Sequence, residues 1–223
     1  MAERIEDKIS KFLAEELKEK IGKLNKIEIG FREKVFIGTT CGFYKGDLRL
    51  LFQSAEQDIV IYLKEDTNNP KYFYNFKDKN SFFQRFPKSL TGTKNKSLPT
   101  GTILIPLVIF ELKYKNVITH AIRQYSEIAR MIKQVFPFCM YNLLLLNIPM
   151  NISNNVDRIY MAGKNFDKII YKNDLVYPLS TDNPDTKNLI NSMSEIIKTH
   201  IKYLENEDYY QLRELLNNNE NKY

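Results

Sequence analysis

The stretch from residue 102 to 149 constrains this chain more than any other. It opens with "TILIPLVIFELKYK" (102–115), an apolar run that reads as a buried strand. A helix is predicted over Ile118–Phe136, because Ile118, Ile122, Tyr125, Ala129, Ile132 and Phe136 recur at helical spacing and Pro137 lies just beyond. "CMYNLLLLNIP" (139–149) then reads as a second buried strand. Strand, helix and strand in that order call for a crossover with parallel strands, so the chain belongs to the α/β class.

Upstream, Glu3–Leu24 is predicted as an amphipathic helix with Ile5, Ile9, Phe12, Leu13, Leu17, Ile21 and Leu24 on one stripe. "KIEIGFREKVFIGTT" alternates as a strand or hairpin. "DLRLLF" (47–52) and "DIVIYLK" (58–64) read as two strands separated by a polar link, "QSAEQ". Downstream, "RIYMAGKNFDKIIYK" is mixed and ends in a strand around Lys168–Tyr171. A closing helix is expected over Asp185–Leu204, with Asp182 or Asp185 as N-cap.

The 223 residues, 43% of them hydrophobic, fit one domain over 1–223 with a real core. Cys41 and Cys139 stand far apart, which excludes a disulfide framework, a thiolate zinc site and a four-cysteine iron–sulfur cluster. The charged start "MAERIEDKISKFL" lacks a signal-type apolar run, and "MYNLLLLNIPM" is too short to span a bilayer. The expectation is a cytoplasmic protein with no membrane partner. The formal charge of +6 is compatible with a nucleic-acid partner and equally with an ordinary basic protein.

Charges mark one place in particular. Glu111 and Lys113 end the apolar strand "PLVIFELK", and strand alternation puts both on one face. Asp58 heads "DIVIYL". If the two strands are neighbours, Asp58 sits beside Glu111. Two such carboxylates, with the backbone carbonyl of Leu112 as a third oxygen, suit Mg²⁺. A lysine beside them can position or help deprotonate a water and offset phosphate charge. Asp47, in "GDLRLLF", is the rival for the first carboxylate. The bland alternative for Glu111 and Lys113 is a surface ion pair at a strand end, worth little. Against it, a strand apolar on both faces would desolvate them.

"DIVIYLK … PLVIFELKYK" resembles the PD-(D/E)XK nuclease superfamily, in which an Asp heads one core strand and (D/E)-x-K ends the next. The order helix, strands, Asp, E-x-K, helix, strand covers roughly residues 3–148. The resemblance implies a restriction-endonuclease-like core, with a mixed central β-sheet flanked by helices. It implies Asp58, Glu111 and Lys113 as catalytic residues and Mg²⁺ as cofactor. Gln124, in "AIRQY", matches the Gln that many members carry on the helix after E-x-K. Ile128 stands where the recombination-exonuclease branch has a Tyr, and Gln57 replaces the Pro before the Asp. Some members add an acidic residue from the first helix; here Glu16 falls within the apolar stripe, with pairing to Lys20 as the alternative.

The activity implied is Mg²⁺-dependent hydrolysis of DNA phosphodiesters by a type II restriction enzyme acting on double-stranded DNA as a homodimer. No P-loop accompanies it. A repair or recombination nuclease of the same fold is one alternative. A non-catalytic nucleic-acid-binding protein that kept the fold is the other. Residues 65–100 form an insertion. From Lys64 to Lys96 there are eight Lys/Arg against three Asp/Glu, with seven Phe/Tyr interleaved. Lys71, Lys77, Lys79, Arg85, Lys88, Lys94 and Lys96 are candidates for phosphate contact, and the aromatics for stacking. An inserted subdomain with "YFYNF" and "SFFQRF" as its own core explains them as well. Arg123, beside Gln124 and His120 on the polar side of the predicted helix, could also meet phosphate.

Overall fold

The computed structural model describes residues 3–21, 27–44, 47–63, 105–115, 119–148 and 156–206; at 39–44, 47–52, 156–158 and 206 it describes the backbone alone. The elements are α1 (Ile5–Ile21), β1 (Ile27–Tyr44), β2 (Asp47–Leu63), β3 (Pro106–Tyr114), α2 (Thr119–Val135), β4 (Met140–Leu146), α3 (Val156–Ala162), β5 (Lys168–Lys172) and α4 (Pro184–Asn206). The five strands form one mixed sheet in the order β1-β2-β3-β4-β5. β1, β2 and β3 pair antiparallel; β3, β4 and β5 pair parallel. The predicted crossover through α2 is therefore present.

Helices cover both faces. Ile9, Leu13 and Leu17 of α1 and Leu189, Met193 and Ile197 of α4 pack with Ile59, Ile61, Val108, Phe110 and Leu112. On the other face, Ala129 and Ile132 of α2 pack with Val60, Ile109 and Tyr141. Because both faces are covered, β3 is buried along its whole length and reads as a near-continuous apolar run. Each fully buried Leu, Ile or Phe contributes roughly 1.5–3 kcal/mol. Cys139 is one of the buried core residues.

Three local expectations need correction. "DLRLLF" and "DIVIYLK" are one strand: "QSAEQ" stays in the ladder, with Ala55 opposite Val35 and Gln57 opposite Glu33. A polar stretch need not end a strand when a partner strand keeps its backbone groups paired. Asp58 thus lies inside β2 and does not head it. At α4, Asn183 is the cap: its Oδ1 accepts the Asp185 N–H at 2.8 Å, and Pro184 occupies the first helical position. The short helix α3 falls in the stretch read as mixed.

One irregularity shapes the sheet. Arg32 has φ 53°, a left-handed conformation costing of order 1–3 kcal/mol for a non-glycine residue. The ladder runs Phe31↔Ile59 and then Glu33↔Gln57, passing over Arg32 and Asp58. Across this gap the facing of β1 inverts. Phe31 packs with the α1–α4 core, whereas Val35 packs with the α2 core. Arg32 is tied down by Asp7 at 3.3 Å and by Glu56 at 2.6 Å.

The insertion at 65–100 lies outside the described residues, and with it Lys71, Lys77, Lys79, Arg85, Lys88, Lys94 and Lys96. No described helix is long and apolar enough to cross a membrane.

Candidate active site

The site forms where β2, β3 and the first turn of α1 meet. The β2–β3 register pairs Val60 with Ile109 and Ile59 with Phe110, and Asp58 and Glu111 are the next residues beyond that last pair. There, Asp58 Oδ2 accepts the backbone N–H of Leu112 at 2.8 Å. On the next strand, Lys113 Nζ donates to Glu111 Oε1 at 3.0 Å. Glu111 is 3% exposed and Lys113 9%, which removes the surface-ion-pair reading. Asp47 pairs with Tyr44 at the opposite end of the hairpin, eleven residues and roughly 36 Å of strand away from Asp58.

Burial drives the electrostatics. Burial, then the charge of Asp58, pushes Glu111 up to about 8 against the pull of Lys113. Asp58 is also raised, by burial first, with Lys113 and the Leu112 N–H opposing. Burial alone would favour a neutral Lys113, but Glu111 and Asp58 outweigh it and hold the ammonium form beyond its ordinary range. Lys113 is therefore charged, and burial opposes the ionised form of both carboxylates.

Glu111 Oε2 is buried without a hydrogen-bond partner. An unpartnered carboxylate oxygen beside a second carboxylate is what a hard cation would relieve, and the donor set fits Mg²⁺ with waters completing its shell. Asp58, Glu111 and the Leu112 carbonyl are the residues that would hold it. Among the described residues, no group of three or more His, Cys, Asp or Glu side chains forms a metal cluster, so the protein's share of such a shell rests on two carboxylates and backbone.

The other predicted residues fall in different places. Glu16 is half-buried on α1, and the charges that act on it are Glu19 and Glu15 of its own helix, after burial. It does not reach the site. The α1 carboxylate that does is Glu6: its Oε1 accepts the N–H of Tyr114 at 3.2 Å, and its charge acts on both Asp58 and Glu111. Ten residues separate Glu6 from Glu16, roughly 15 Å along a helix. Gln124, Arg123 and His120 are exposed on α2. The α2 side chain that meets the lysine is Tyr125, whose ring centroid lies 4.1 Å from Lys113 Nζ.

Sequence reading also missed a support beneath Asp58. Tyr141 of β4 donates its hydroxyl to Gln57 Oε1, and Gln57 Nε2 donates to the Glu56 carbonyl at 3.0 Å. Both side chains are buried, and together they clamp β2 on the residue before Asp58. Its only sequence signal is two polar-tipped residues inside apolar strands. No protein-family model matches the chain, and no curated protein matches it.

Proposed function

We propose that this protein is a Mg²⁺-dependent endodeoxyribonuclease with a restriction-endonuclease-like PD-(D/E)XK core, of the type II restriction kind, acting as a homodimer on double-stranded DNA. The observation that carries this reading is the meeting of Asp58, Glu111 and Lys113 at one end of β3, two carboxylates just beyond the last β2–β3 pair and a lysine 3.0 Å from one of them. The element order adds support: helix, strands bearing the Asp, a strand ending in E-x-K, a helix, and a parallel strand.

Asp58, Glu111 and the Leu112 carbonyl would hold Mg²⁺, which would supply Lewis-acid stabilisation of charge on phosphorus oxygens and a more acidic water. The remaining roles belong to the chain. Asp58 is held by the Leu112 N–H, so its free oxygen keeps one direction. Lys113, kept charged by its neighbours, donates to a phosphate oxygen or to the attacking water and offsets developing negative charge. A charged lysine is a poor base, so the positioning role is favoured over proton abstraction. Water loses its proton instead to solvent or to a phosphate oxygen.

Plasmid cleavage with and without Mg²⁺, alongside Glu111→Ala and Lys113→Ala, tests the reading. Mg²⁺-dependent cleavage lost in both variants supports it, and discrete bands support restriction. A smear points to a repair-type or nonspecific nuclease. DNA left intact under every divalent metal, with binding unchanged in both variants, leaves the non-catalytic binding protein.

A further inference from the structure

Lys113 carries the longest flexible side chain in the site, and an ammonium on four rotatable bonds is hard to hold in place. Glu111 supplies one contact, at 3.0 Å. That contact is compromised by the site's own chemistry, because Glu111 is also the carboxylate with an unpartnered oxygen next to Asp58. Whatever cation Glu111 engages competes with the lysine for its charge. A second contact that does not compete comes from α2. The ring of Tyr125 stands 4.1 Å, centroid to Nζ, from the ammonium. The negative face of an aromatic ring attracts a cation and binds no metal, and the attraction grows when the cation is desolvated.

The surroundings single out this ring. Lys113 is buried, while Tyr125 is half-buried on α2 between the buried Ile122 and Ser126. The rest of the inward stripe, Ile122, Ser126, Ala129 and Ile132, carries no aromatic ring. A Leu at position 125 would satisfy packing but would offer the ammonium no ring. Gln124, the α2 residue put forward from the sequence, is exposed one position earlier.

We propose that Tyr125 is a positioning residue for Lys113. Its ring face holds the ammonium at the end of β3 while Glu111 serves the metal, so the lysine is in place when the scissile phosphate arrives. The inference rests on the nuclease reading above, and the two are separable by experiment.

Tyr125→Leu and Tyr125→Phe are compared with wild type on a cleavable plasmid in Mg²⁺. Tyr125→Leu lowers kcat about tenfold with KM within about twofold, and Tyr125→Phe recovers most of that rate because the ring remains. The second readout is independent of cleavage. In proton–carbon NMR the ε-methylene of Lys113, assigned by its disappearance in Lys113→Arg, is shifted upfield by the ring in wild type and Tyr125→Phe and returns to the ordinary lysine position in Tyr125→Leu. Tyr125→Met replaces the Leu variant if that one does not fold. Equal rates for the Leu and Phe variants overturn the positioning role, as does an ε-methylene without ring shift in wild type. A wild type that cleaves no DNA removes the nuclease reading, whereas the ring shift alone then decides whether Tyr125 holds the lysine.

Discussion

The Oδ2 of Asp58 accepts the backbone N–H of Leu112 at 2.8 Å, which ties one carboxylate of the site to the strand that carries the other. The bond lies just beyond the last backbone pair of β2 and β3, Ile59 with Phe110. On the proposed function, Asp58 has two separable duties, one for each oxygen.

Substituting Asp58 separates them. Asp58→Asn keeps an acceptor for the Leu112 N–H, while Asp58→Ala leaves that N–H without one, at a cost of about 1–3 kcal/mol for an unsatisfied buried donor. Cleavage falls about a hundredfold or more in both, because neither offers a carboxylate. Urea unfolding places Asp58→Asn above Asp58→Ala. Equal stabilities would remove the bond to Leu112 from the account.

The first helix offers a direct comparison of two glutamates. Glu6→Ala lowers the cleavage rate about tenfold or more by removing the acceptor of the Tyr114 N–H next to Lys113 and a negative charge that would draw Mg²⁺ to the proposed site. Glu16→Ala leaves cleavage near wild type, since the carboxylates around Glu16 belong to its own helix. Steady-state rates on one plasmid substrate check the order, and the reverse order would return Glu16 to the site.

A third glutamate, Glu33, sets a pH dependence of stability. It is buried in β1, its Oε2 has no partner, and its side chain lies where a Cβ on Gly30 would stand. Burial, then the charge of Glu28, raises it from 4.5 to about 7; Lys18 opposes and Glu56 adds. A carboxyl with a raised folded-state value holds its proton more tightly when folded. Its contribution is fully present below 4.5 and is lost as pH rises through about 7. Glu33→Gln therefore raises stability at pH 8 by on the order of 1–2 kcal/mol and flattens the decline across that window. Urea melts between pH 4 and pH 8 measure it; an unchanged slope in Glu33→Gln would refute the assignment.

The clamp under β2 makes a fourth prediction. Tyr141→Phe leaves Gln57 Oε1 buried without its hydroxyl donor, a loss of about 1–3 kcal/mol in chemical unfolding. Because the clamp acts one residue from Asp58, the cleavage rate falls as well, while Tyr141→Phe still binds DNA as wild type does. A stability change below about 0.3 kcal/mol would show that the hydrogen bond contributes little.

Much of this was legible in the chain itself. Burial of β3 on both faces follows from "PLVIFELK", and the crossover from the helix between two apolar strands, because hydrophobic period and parallel pairing are local and topological properties. The same pattern placed Glu111 and Lys113 on one face in the core. The sequence could not place Glu6 over Glu16, since a helical wheel ranks angle and says nothing of height, and ten residues along a helix are roughly 15 Å. Nor could it show that "QSAEQ" stays in β2, which depends on a partner strand long enough to pair it. The Asp58–Leu112 bond, the Tyr141–Gln57 clamp and the ring of Tyr125 over Lys113 each join elements distant in the chain. Periodicity named the residues of one strand end; only the packing of α1, α2 and β4 around it decided which other side chains they meet.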